Sequence, residues 1–116
     1  MHINLQPAST TPYQLTGLIV TSIFGGAALY WDHSELYQTN RYEIWHNKAD
    51  NIDTAELLVL SETNHCTIGN LSMSQDHWFW VRVKNQHDII GPFTPAVKLI
   101  FSSEVVKLLQ LLSDDK

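Results

Sequence analysis

Six histidines, one cysteine and a scatter of loop carboxylates are the side chains of this 116-residue chain with the means to do chemistry. Histidine and cysteine bind zinc when they recur closely, as in His-x3-His or Cys-x2-Cys, because one local element must offer two ligands to one ion. His33, His46, His65, His77 and His87 have no such spacing, and Cys66 has no second cysteine to join. No metal or other cofactor is expected. Cys66 also falls in a predicted strand facing the core, where a thiol is a small hydrophobe rather than a nucleophile. Asp32, Glu35, Asp50 and Asp53 lie in loop-like stretches without a paired acid. Neither a Gly-rich phosphate loop nor a Gly-x-Ser-x-Gly elbow is present. The expectation is a protein that is not an enzyme.

Binding is a better prospect, and it rests on tryptophan. In His77-Trp78-Phe79-Trp80-Val81-Arg82-Val83-Lys84 the residues alternate, with His77, Phe79, Val81 and Val83 on one face and Trp78, Trp80, Arg82 and Lys84 on the other. That period of two marks a strand with one face in a core. Arg41 to Asn47 alternates likewise, Tyr42 and Ile44 inward, Glu43 and Trp45 outward. As neighbours in one sheet, these strands would set Trp45 beside Trp80 on the outer face, with Glu43 and Arg82 close by. Exposed tryptophans with a guanidinium make a protein-binding hot spot or a sugar-stacking platform. The plainer reading is a cross-strand ladder that shields the sheet. Ile89, in the loop before the last strand, is a further candidate contact, while Ile90 is expected to plug the sandwich end.

The elements that must position these residues are short strands. They are read at Leu15 to Phe24, Ala27 to Asp32, Arg41 to Asn47, Glu56 to Ser61, Cys66 to Ile68, His77 to Lys84 and Ala96 to Phe101. Gly25-Gly26 and the polar stretches between them supply turns. About seven short strands at regular spacing imply an all-β antiparallel sandwich or barrel. The predicted core is Leu18, Val20, Leu29, Trp31, Tyr42, Ile44, Ile68, Leu71, His77, Phe79 and Val81. Residues 1–12 read as an extended lead-in and 13–101 as the domain. Residues 102–116 form an amphipathic tail, predicted as a short C-terminal α-helix. Its apolar face is Val105, Leu108, Leu109 and Leu112, a docking face for the sandwich or for another chain.

A formal charge of −5 lacks the basic footprint that nucleic acid requires. No apolar run is long enough to span a bilayer, so membrane insertion is not expected. With one cysteine the fold cannot be stapled by an internal disulfide and must stand on its core.

Taken together, these residues resemble a fibronectin type III domain, an immunoglobulin-like β-sandwich. Trp31 resembles the core tryptophan of that family, and Leu71 followed six residues later by His77 occupies the frame of its tyrosine corner. The chain is most similar to the type III domains of bacteriophage (lambda J-like) tail-tip host-specificity proteins. The matching stretches are Glu43-Ile44-Trp45, Phe79-Trp80-Val81-Arg82 and Pro92-Phe93-Thr94-Pro95. The resemblance implies a structural module at a phage or prophage virion tail tip. Its partners would be neighbouring domains or copies of that protein, including a homo-oligomer through the C-terminal helix, and a host surface receptor. A carbohydrate- or surface-protein-binding accessory module of a bacterial enzyme or adhesin is the alternative. The chain departs from the pattern at His77, where the corner tyrosine is expected, at Asp88, where a loop glycine is usual, and at Met73-Ser74, in place of Pro-Gly.

Overall fold

The computed structural model describes residues 12–32 and 41–101. Seven strands are formed: β1 (Ile19–Ile23), β2 (Gly26–Tyr30), β3 (Arg41–Asn47), β4 (Glu56–Ser61), β5 (His65–Ile68), β6 (Trp78–Lys84) and β7 (Val97–Lys98). They pair into a three-stranded sheet, β1-β2-β5, and a four-stranded sheet, β4-β3-β6-β7. Every pairing is antiparallel. Among the described residues there is no α-helix. The helix predicted for the tail, with Val105, Leu108, Leu109 and Leu112, falls outside them.

The two inner faces meet over Leu29 and Trp31 from the smaller sheet side and Tyr42, Ile44, Phe79, Val81 and Val83 from the larger, all buried. Trp31 packs edge-on against Tyr42, ring centroids 5.3 Å apart, a favoured arrangement for two aromatic quadrupoles. Leu18, Val20, Ile68 and Leu71 pack against this core from partly buried positions. Leu15 and Leu99 also belong to the core, although the alternation did not single them out.

Most strand ends fall within one or two residues of expectation, and the two strands that depart further, the first and the last, do so for a backbone reason. The first strand begins at Ile19 rather than Leu15, because Gly17 sits at a φ of 75° and turns the chain out of extended geometry. A side chain there would collide with the Asp32 carboxylate at 2.6 Å. That carboxylate accepts a hydrogen bond from the Thr16 hydroxyl, and the Asp32 N–H donates to the Thr16 carbonyl. The last strand is two residues long rather than six. Its ladder ends because β6 begins at Trp78; the Leu99 N–H reaches one residue further, to the His77 carbonyl at 2.8 Å. Asp88 takes the place of a loop glycine and adopts a φ of 63°, in the left-handed region that aspartate tolerates better than most residues.

Candidate functional site

On the outer face of the four-stranded sheet, Trp45 lies directly opposite Trp80, and Glu43 opposite Arg82. The sequence-predicted cluster is therefore assembled. The Glu43 carboxylate accepts from the Arg82 guanidinium at 2.6 Å and from the Trp45 indole N–H at 3.0 Å. The guanidinium lies over two rings, 5.2 Å from the Trp45 centroid and 4.3 Å from that of Phe93. Phe93 meets Trp45 edge-on at 5.7 Å. Burial alone would raise the Glu43 carboxyl, but hydrogen bonds from Arg82 and Trp45, with the charges of Arg82 and Lys84, hold it below the ordinary carboxylate range.

This geometry corrects the picture of an open tryptophan platform. Trp80 is only 4 % exposed and Glu43 6 %. The segment after β6 brings Phe93, between Pro92 and Pro95, onto the same outer face, against Trp45 and the Arg82 guanidinium. The ladder reading of the pair is what the side chains form, and the surface left to a partner lies beside it. Trp78 is half-buried, with the Lys98 ammonium 5.7 Å above its ring.

Beside the ladder, at the sheet edge, Leu57 pairs with Trp45 and Leu60 with Glu43, so both leucines share the outer face. They are 43 % and 52 % exposed. Sequence reasoning missed them because Leu57-Leu58-Val59-Leu60 is a continuous apolar run. Two residues three apart share a strand face only if an extra residue intervenes. The register shift at Ile44/Trp45 supplies it, leaving Leu58 without a partner in the ladder.

The two isoleucines of the β6–β7 loop are reversed from expectation. Ile90 pairs with Lys84, whose side chain points outward, and is 40 % exposed. Ile89 is half-buried, its N–H bonded to the Asn85 side chain and its carbonyl accepting from the Asn85 N–H. The turn that closes on Asn85 sets this alternation.

His77 is buried at 2 % exposure and uses both ring nitrogens. Nε2 lies 2.7 Å from the Ser72 carbonyl and Nδ1 lies 2.9 Å from Nε2 of His46. The imidazole thus replaces the phenol-to-backbone bond of a tyrosine corner. Cys66 is partly buried against the core, and desolvation pushes its thiol up to about 11. Among the described residues no group of three or more His, Cys, Asp or Glu side chains is arranged to hold a metal ion.

No family model matches the sequence, and no curated protein matches it. Solved structures do match the fold. An Fn3-like protein from Clostridium thermocellum superposes with a TM-score of 0.68 at 11% identity, covering 81% of this chain and 97% of that one. The chicken CNTN1 FN1–FN3 domains give 0.66 at 18% identity, over 81% of this chain and 33% of theirs. The fold is a fibronectin type III sandwich. Pectate lyase PelI from Erwinia chrysanthemi carries a similar unit, with a TM-score of 0.65 at 20% identity, covering 74% of this chain and 28% of the lyase. At these identities the likeness concerns the type III fold and not an activity.

Proposed function

We propose that this chain is a non-enzymatic structural and interaction module of a phage or prophage tail-tip host-specificity protein. The observation that carries the interaction role is the strip of Leu57 and Leu60 beside the Trp45 ladder, on an edge strand of the larger sheet. An apolar strip on a strand that, among the described residues, pairs on one side only suits a neighbour held alongside, since an edge of this kind invites pairing. The tail-tip assignment itself is supported by the three sequence motifs in order, Glu43-Ile44-Trp45, Phe79-Trp80-Val81-Arg82 and Pro92-Phe93-Thr94-Pro95. Its neighbours would be adjoining domains or copies of the same protein, with residues 102–112 as a second contact, and host-receptor engagement would be indirect or through the loops.

The ladder geometry weighs against the accessory sugar-binding module. Stacking needs a bare aromatic face, whereas Trp45 carries Arg82 and Phe93, and Trp78 carries Lys98. An antibody against the chain, applied to particles induced from the source bacterium, is expected to decorate tail ends. Signal confined to secreted enzyme fractions would sink the tail-tip reading. Sugar binding on a glycan array, abolished by Trp78→Ala, would put the accessory module in its place.

A further inference from the structure

Strand β4 reads Glu56-Leu57-Leu58-Val59-Leu60-Ser61 and, among the described residues, forms an edge of the larger sheet. Many natural edges are blunted by lysine or proline, and neither stands between Glu56 and Ser61. Its three leucines are 43 %, 40 % and 52 % exposed, in chain order. The register against β3 sets the faces. Leu57 and Leu60 lie opposite Trp45 and Glu43 on the outer face, while Glu56, Val59 and Ser61 lie opposite His46, Ile44 and Tyr42 on the inner one. Leu58 is the extra residue, so Leu57 and Leu58 together fill one ladder position. Counted that way, β4 has its centre at Val59 and presents the same order of faces from either end. Laid antiparallel on a copy of itself about Val59, it sets Leu57 against Leu60, Leu60 against Leu57 and Glu56 against Ser61, each pair on a single face. A slip of one residue would set outer leucines against inner positions.

We propose that β4 seats a second copy of this chain, paired antiparallel about a two-fold axis at Val59, a pairing that rests on the Leu57–Leu60 strip being an interaction surface and gives that surface its partner. The two four-stranded sheets then run on as one. Charge suits a copy of the same strand. The single charge of β4, Glu56, meets a hydroxyl rather than another carboxylate. Burial, with the neighbouring His77 and Lys48, holds His46 below its ordinary range, so Lys48 is the cation at the Glu56 end of the sheet. Glu62 of the second copy, one residue past Ser61, is carried toward that same end, and the two-fold axis repeats the approach at the other. Among the described residues neither Lys48 nor Glu62 has an ion pair within its own chain. Each copy uses its β4 edge once, so the assembly closes at two copies instead of growing into a fibre.

The test is register-specific cross-linking. Residues directly opposite in an antiparallel pair have Cα atoms about 4.5–5.5 Å apart, within reach of a disulfide. Full-length Leu57→Cys and Leu60→Cys chains, mixed in equal amounts and oxidised, are expected to form the mixed disulfide about tenfold above what either forms with itself. The unaltered chain, with Cys66 alone, is the baseline. Both positions are exposed, so each variant is expected to keep the fold, which circular dichroism checks. By light scattering, Leu60→Lys should be a monomer, and adding Leu57→Glu to it should restore the dimer, because in this register each new glutamate faces a new lysine. Self-linking of either variant as fast as mixed linking, no link above the baseline, or a double variant as monomeric as Leu60→Lys would overturn the pairing. Antibody decoration of tail ends reads none of these, so the pairing can fail while the tail-tip reading stands, and the reverse.

Discussion

Thr94 shows how a single hydroxyl can stand in for a strand. Between Pro92 and Pro95 the chain has few backbone donors to offer β6. Thr94 compensates from both sides: its N–H donates to the Val81 carbonyl at 2.9 Å, and its hydroxyl accepts the Val81 N–H at 3.1 Å. It is 3 % exposed, so nothing from solvent can replace that acceptor. Thr94→Val keeps the shape and leaves the Val81 N–H unsatisfied, which is expected to cost about 1–3 kcal/mol in chemical denaturation. Thr94→Ser should retain most of the stability, because the acceptor stays. The same segment holds Phe93 on the Arg82 guanidinium, so the packing of the tryptophan ladder depends on a residue that carries none of its aromatic surface.

At the scale of elements, the two middle strands of the larger sheet were legible in the sequence almost to the residue, and so was the neighbouring β4. Period-two alternation in Arg41–Asn47 and around Trp78–Lys84 gave both the strands and the register partners Trp45 and Trp80. What alternation does not encode is what comes down on the far face. Phe93 arrives from a proline-bounded stretch without periodicity, and the extra residue at Leu58 is silent in a run of four apolar side chains. The consequence separates two tryptophans that the sequence presents as equivalent. Trp80→Ala, at a site almost closed to solvent, should cost about 3–5 kcal/mol in urea melts. Trp78→Ala, half-exposed with Lys98 over its ring, should cost about 1–2 kcal/mol. Equal losses would mean that Trp80 is not closed off from solvent in solution.

For the whole molecule, acid should weaken the sandwich in two stages. His46 binds its proton less readily when folded than at the ordinary value of 6.5, so below about that pH the unfolded chain takes up more protons and stability falls. Glu43 behaves with the same sign lower down: its folded carboxyl titrates below the ordinary 4.5, so stability held above that pH is lost as pH drops through its folded value. Melting temperature followed from neutral pH to about pH 3 should show both declines. His77→Tyr should flatten the first and leave the second. The first decline was not legible in the sequence, because His46 reads as an ordinary strand residue until its partner 31 positions away is brought against it.

The two-residue last strand also determines how this module would behave under load. A pull on the chain beyond Phe101 meets, in order, the Leu99–His77 bond, the short pairing of β7, the Thr94–Val81 pair and the Gly91–Val83 bond. If that pull runs across the strands, these bonds are loaded one after another, as in a zip, and each fails at low force. If it runs along β6, they resist together. The direction of an applied pull would then decide whether this sandwich acts as a stiff link or pays out slack from its C-terminal side.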